Sequence, residues 1–173
     1  MNESMNTLIT RRSCRAYTDQ LVPDDVLSRI LEAGTYAATG MGKQSPIIIA
    51  VTNKEMRDRL ARLNAAVMGS PNDPFYGAPI VLVVLADKNI GTYLYDGSLV
   101  MGNLMNAAHA EGVASCWIHR AKEVFASDEG KKILADLGIT GDYEGIGNCI
   151  LGYPAADIPA PKPRKENYVY YIK

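Results

Sequence analysis

Two stretches of this chain are apolar at nearly every position: Ile47-Ile48-Ile49-Ala50-Val51-Thr52 and Pro79-Ile80-Val81-Leu82-Val83-Val84-Leu85-Ala86. Both are rich in β-branched residues and flanked by breakers, so each predicts a buried strand covered on both faces. Val113-Ala114-Ser115-Cys116-Trp117-Ile118 predicts a third strand, and the run from Glu144 to Pro154 a fourth. Elsewhere the period is helical. Val26, Leu27, Ile30, Leu31 and Ala37-Ala38 predict a helix over about 23–38, opened by Pro23 with Asp24 and Asp25 in its first turn. Asn53 is placed to cap a helix whose Met56, Leu60, Leu63 and Val67 share one face. After Asp96, a long helix carries Leu99, Val100, Met101, Leu104, Met105, Ala107 and Ala108 around most of its circumference and stops at Gly112. A helix apolar nearly all round belongs at the centre of a large core or in an interface. A short helix over 4–10 is expected to turn Met5, Leu8 and Ile9 inward, and a weaker helical region over 121–137 ends at Gly138.

The 173 residues suit one domain over 1–173, with no internal repeat and no linker. The apolar share is 47% and the charged share 21%, ordinary for a folded globular chain. A net charge of −1 argues against broad nucleic-acid or membrane-surface binding, which needs a basic face. The polar start, Met1-Asn2-Glu3-Ser4, lacks an apolar leader core, and no run approaches a membrane span, so the expected location is cytoplasmic. Cys14, Cys116 and Cys149 are odd in number and far apart, which disfavours a disulfide framework. With His109 and His119 the only histidines, no four-ligand zinc pattern can be drawn.

Against this even charge balance, Arg11-Arg12-Ser13-Cys14-Arg15-Ala16-Tyr17 concentrates three guanidiniums and a hydroxyl. Guanidinium forks match phosphate oxygens, although from these residues alone a solvated turn of mutually repelling arginines is the commoner origin of such a cluster. A second basic group, Lys162-Pro163-Arg164-Lys165, lies in a proline-rich tail that ends in Tyr168, Tyr170 and Tyr171. In an extended segment Lys162 and Arg164 point to one side, where they could join Arg11 and Arg15 on a phosphate. An apolar-tipped arm of this kind is expected to pack on its own body or on a partner chain. The loop Gly40-Met41-Gly42-Lys43-Gln44 is no nucleotide-triphosphate loop: Ala37 stands where the first glycine is needed, Gln44 where Ser or Thr is needed, and it follows a helix. No acid pair, catalytic triad or nucleophile elbow is visible, and Asp136 and Asp142 are scattered. Cations, glycines and aromatics without an acid–base pair suit a cofactor that carries its own chemistry.

In order along the chain, these motifs resemble the nitroreductase family of FMN flavoproteins. Arg11-Arg12-Ser13-x-Arg15-x-Tyr17 is similar to the family's opening motif. Ala37-Ala38-Thr39-Gly40 through Gln44-Ser45-Pro46 resembles its small-polar loop before the first strand. Asn64, Pro74-Phe75-Tyr76-Gly77-Ala78-Pro79, Asp96 with the helix after it, Gly112 to Ile118, and Gly152-Tyr153-Pro154 followed by Lys162-x-Arg164 continue the match. The resemblance implies an α+β fold with a central, mainly antiparallel sheet flanked by helices. It also implies an intertwined homodimer with C-terminal arm exchange and FMN at the interface.

By position, the resemblance assigns Arg11, Ser13, Lys162 and Arg164 to the phosphate and ribityl end, with Arg12 joining by backbone or side chain. It sets Arg15 near N1 and the C2 carbonyl of the ring, and Asn64 at the pyrimidine edge. Backbone at Trp117, Ile118 and His119 would approach N5, and Ala38, Thr39, Gly40 and Gln44 would come from the other subunit. His119 stands where several members carry an acidic residue or Gly. The loop before the first strand is one residue short, which could displace Gln44. Only residues 65–77 or a partner loop are left to roof the pocket. The implied activity is ping-pong hydride transfer from NADH or NADPH, through FMN N5, to a nitroaromatic, quinone or similar electron-poor acceptor, with no side-chain acid or base. The alternative is a non-catalytic flavin- or nucleotide-binding dimer acting as a carrier or redox sensor.

Overall fold

The computed structural model describes residues 1–173. Helix α1 (Glu3–Thr10) is capped by Asn2, whose side chain accepts from the Met5 N–H at 2.9 Å. It buries none of its residues, and Met5, Leu8 and Ile9, expected inside, are about half exposed. Helix α2 (Asp24–Thr35) stops short of the expected residue 38. The N–H groups of Tyr36 and Ala37 bond back three residues, to Ala33 and Gly34, and this tight last turn ends the helix. A single tight turn at Gly40–Gly42 leads into β1 (Pro46–Val51). Asn53 caps α3 (Lys54–Met68) by accepting from the Met56 N–H at 2.9 Å, and Gly69 ends it in the left-handed region.

Strand β2 (Ile80–Asp87) is followed by the long helix α4 (Tyr93–Ala110), which takes Asp96 into its first turn rather than starting after it. Next come β3 (Ala114–Ile118), α5 (Ala121–Ala126), α6 (Asp128–Asp136) and β4 (Tyr143–Gly152). The helical region expected over 121–137 is thus two helices. Extended backbone at Ser127 breaks it, and the Ser127 hydroxyl accepts from the Gly130 N–H to cap α6.

The sheet order is β1-β2-β4-β3, antiparallel throughout. Each face carries its own apolar cluster. Val81, Val83 and Leu85 pack with Leu60 of α3, Phe125 of α5 and Ile133 of α6. Ile80, Leu82 and Val84 pack with Ile30 of α2 and Met101 and Leu104 of α4. The continuous apolar run of β2 is therefore a strand buried on both faces, each such side chain contributing about 1.5–3 kcal/mol. The edge strand β1 is covered less well: Ala50 is exposed and Ile47 to Ile49 are half-buried.

Two glycines in β4 admit close neighbours. A side chain on Gly145 would collide with the Ala121 backbone at the start of α5, and one on Gly147 would meet the Trp117 indole nitrogen at 2.5 Å. The register shift opposite Val84 and Leu85 falls at this same point. These contacts fix how β3 hands over to α5.

Candidate functional site

The Arg11–Tyr17 segment is stitched to the sheet from both sides. Ser13 bridges Ser115 on β3, with the Cys14 N–H donating to the Ser115 carbonyl at 3.0 Å. Tyr17 bridges Pro154 just beyond β4, the Thr18 N–H donates to Tyr153, and the Ala155 N–H donates back to Ala16. The chain leaving β4 is thereby tied to the Arg segment before it runs on as the tail. Arg11, Arg12, Ser13 and Arg15 consequently share one cavity of about 310 Å³ with Lys162 and Arg164, which Pro159 and Pro161 help to line.

None of these five cations is paired with a carboxylate. Arg12 turns its Nη1 onto the carbonyls of Ile9 and Arg11, at 2.8 and 2.7 Å, and so builds the turn. Arg164 likewise donates to the Lys162 carbonyl. Three side-chain polar atoms are buried without a partner: Arg11 Nη1, Arg12 Nε and Ser115 Oγ. Two belong to the cavity and the third to the residue bridging Ser13. Orphaned buried donors are few in folded proteins. Several beside uncompensated cations fit a dianionic phosphate, a group that only accepts.

At the opposite end of β3, Asn148 on β4 lies opposite Ile118 and donates to the Asn64 Oδ1 at 3.2 Å. Asn64 is 1% exposed, and its amide nitrogen has only the weak acceptor Met68 Sδ, at 3.4 Å. Trp117 is half-buried, Ile118 is buried, and His119 is exposed where the strand ends. The next residue, Arg120, holds φ at +79°, and its guanidinium reaches Glu123 at 2.9 Å.

Ala38, Thr39, Gly40 and Gln44 are not brought to this cavity. Their loop is anchored on the first turn of α4 instead. Asp96 accepts from the Gly40 N–H at 2.9 Å, from Ser45 Oγ at 2.7 Å and from Thr92 Oγ1 at 3.0 Å. Burial alone would raise the Asp96 carboxyl, but these three hydrogen bonds hold it below the ordinary carboxylate range. Thr39 and Gln44 line a separate cavity of about 510 Å³, with Leu31 of α2, Ile48 of β1 and Val100 of α4. The two cavities share no residue.

Sequence reasoning missed four residues that build this region. Ser115 and Asn148 were detectable as single polar positions inside apolar strands. His109, whose Nε2 meets Thr10 Oγ1 at 2.8 Å, carried no local signal. Arg57 is buried on α3 and donates to the Ala78 carbonyl at 2.9 Å, to Asp58 at 3.1 Å and to Asp73 at 2.5 Å. Asp73 in turn accepts from the Phe75 and Gly77 N–H groups, so this network holds loop 69–78 against α3.

An antiparallel sheet with helices on both faces, and a cavity lined by five cations without carboxylate partners beside its edge strand, define an α+β domain. The chain belongs to the Nitroreductase family, whose sequence profile it matches over residues 8–153. A crystal structure of a nitroreductase with bound FMN from Bacteroides fragilis superposes with a TM-score of 0.91 at 28% identity, covering 100% of both chains. One with bound FMN from Desulfitobacterium hafniense superposes at 0.89 and 26% identity, again over 100% of both. A protein of Archaeoglobus fulgidus provisionally named NADH dehydrogenase/NAD(P)H nitroreductase is 28% identical, over 97% of this chain and 91% of its own length.

Proposed function

We propose that this protein is an FMN-dependent NAD(P)H oxidoreductase acting by alternate binding of donor and acceptor at one flavin face. The observation that carries the reading is the single cavity in which Arg11, Arg12, Ser13 and Arg15 meet Lys162 and Arg164. When bound, FMN supplies hydride acceptance and donation at its N5 position. The protein supplies placement and electrostatics.

In this reading Arg11, Ser13, Lys162 and Arg164 hold the phosphate and ribityl end, and Arg12 fixes the turn that aims them. Ser115, its hydroxyl buried and free, adds a donor beneath Ser13. Arg15, exposed and unpaired, reaches N1 and the C2 carbonyl, where its charge stabilises the reduced ring. Asn64 exchanges its weak sulfur acceptor for the pyrimidine edge, held in place by Asn148. The backbone of Trp117, Ile118 and His119 runs past N5.

A homodimer completes the site, with the end of the arm beyond Arg164 packing on the partner while Lys162 and Arg164 stay on their own clamp. Three observations support it. The outer edge of β1 is unpaired within the chain, an arrangement that natural sheets cover. Residues 155–173 are exposed throughout, with Tyr170 and Tyr171 about 80% exposed. Apolar residues also stand outside on α1 (Met5, Leu8, Ile9) and α4 (Leu94, Tyr95, Leu99). The partner's loop would then carry its copies of Ala38, Thr39, Gly40 and Gln44 to this clamp. The substrates are NADH or NADPH and an electron-poor acceptor such as a nitroaromatic or quinone.

The test is to purify the protein, reconstitute it with FMN and record its spectrum and its NAD(P)H oxidation with menadione. Expected are a yellow protein and turnover. Arg11→Ala and Arg15→Ala should each raise the FMN dissociation constant about tenfold or more, as loss of one charge-assisted bond of about 1.5–3 kcal/mol implies. A colourless protein that takes up no FMN overturns the reading, and FMN uptake without turnover makes the protein a carrier.

A further inference from the structure

We propose that Arg120, with His119 beside it, is a specificity-determining residue that reads an anionic oxyacid group, carboxylate or phosphate, on the reactant docking at the ring end of the site. The inference rests on the FMN reading above and goes beyond it, by naming a chemical class of substrate and the residue that selects it.

The starting observation is backbone conformation. Arg120 sits at φ +79°, ψ 8°, in the left-handed region that disfavours every side chain except glycine's hydrogen. The turn it makes is needed: it ends β3 at Ile118 and starts α5 at Ala121, where the backbone is pressed against Gly145. A glycine would make that turn without strain. The side chain must therefore return something that the backbone does not.

Inside the chain it returns little. Arg120 Nη1 pairs with Glu123 at 2.9 Å, three residues along the same short helix, and both side chains are nearly half exposed, at 46% and 40%. Exposed pairs of this kind contribute less than a left-handed non-glycine residue costs. Arg120 makes no other side-chain hydrogen bond, which leaves most of its guanidinium fork uncommitted. Strained non-glycine backbone that stability does not explain is a marker of function.

Position supplies the rest. Ser115 at the start of β3 is bridged to Ser13 of the phosphate clamp. His119 follows four residues on, about 13 Å along an extended strand. His119 and Arg120 are both exposed and directly follow Ile118, whose strand partner Asn148 donates to the buried Asn64. The neighbouring charges are Glu123, which holds one edge of the fork, and Lys122, which is already paired with Glu144 at 3.1 Å. An incoming carboxylate or phosphate thus meets one available guanidinium, with Glu123 as its competitor. Planar two-point recognition is what this group does best.

The competition makes the test two-sided. Reconstituted holoenzyme is assayed with 4-nitrobenzoate against neutral 4-nitrobenzyl alcohol as acceptor, and with NADPH against NADH as donor in the separate reductive half-reaction. Benzoate is titrated as a non-reacting ligand by its perturbation of flavin absorbance. Arg120→Gly and Arg120→Gln should lower the anionic-to-neutral ratio of kcat/KM, or the NADPH-to-NADH ratio, at least tenfold; whichever ratio moves identifies the source of the anion. Glu123→Gln should shift the same ratio and the benzoate affinity the other way, by about threefold. The melting temperature of Arg120→Gly should be unchanged or higher, since glycine relieves the turn. Ratios and benzoate affinity unmoved in all three variants, with FMN still bound and neutral acceptors turned over, overturn this inference alone. A protein without FMN uptake overturns it together with the reading beneath it.

Discussion

His109 shows how one side chain ties the clamp to the core. It lies in the last turn of α4, and Thr10 meets its ring nitrogen just before the Arg segment begins. Burial first, then the charges of Arg11 and Arg12, push its imidazole below the ordinary value. An unfolded chain protonates His109 near pH 6.5, whereas the folded chain resists until a lower pH. Folding is therefore favoured in full above about pH 6.5, and this contribution is lost as the pH falls through that value toward the folded pKa. His109→Gln should remove that pH-dependent component: the melting-temperature gap between wild type and variant should be widest at neutral pH and shrink on acidification. A constant gap from pH 7.5 to 5 would show that His109 does not titrate against the clamp. The arginines were legible in the sequence as a cluster. The Thr10–His109 contact beside them was not, because it joins residues 99 positions apart.

Helices and strands were legible wherever local physics decides them. Asn53 caps α3 as its residue type predicts, and β2 is buried on both faces as its unbroken apolar run predicts. Boundaries slipped where a neighbour intervened, as at the tight end of α2 and at Ser127 between α5 and α6. Loop 69–78 illustrates the same limit. Its breakers announced a loop, but its conformation is held by Arg57 reaching across from α3. Arg57→Ala removes a nearly buried guanidinium and leaves the Ala78 carbonyl and the Asp73 carboxylate without their partner. The expected loss is about 2–4 kcal/mol, toward the lower end because Asp73 is partly open to water. Denaturant melts would check the stability, and limited proteolysis would check the release of the loop. A variant as stable and as protease-resistant as wild type would deny the loop this anchor.

For the molecule as a whole, the tail is the decisive segment. It carries two of the five cations that line the Arg11–Arg15 cavity, yet buries none of its residues against its own body. Deleting residues 155–173 should leave the sheet and both apolar clusters intact, as read by circular dichroism. It should raise the FMN dissociation constant more than tenfold through loss of Lys162 and Arg164. On the proposed dimer, the truncated chain should also sediment as a monomer in analytical ultracentrifugation where the full chain sediments as a dimer. A truncated chain that dimerises and binds FMN as the full chain does would remove the tail from both roles.

Periodicity and composition were enough to specify the four strands, the principal helices and the two basic clusters, Arg11 to Arg15 and Lys162 to Lys165. Those features depend on neighbours within a few residues, and backbone propensity, capping and amphipathic spacing act over that range. Strand order is not local, and the consequences of order β1-β2-β4-β3 emerge only on folding. It sets β3 at the edge, where Ser13 bridges Ser115, and sets Asn148 between Asn64 and the end of that strand. It also leads the chain out of β4 beside Tyr17, so that Lys162 and Arg164 arrive at Arg11. The left-handed turn at Arg120 belongs with these: it sits where the start of α5 meets Gly145, and arginine itself has no preference for such an angle.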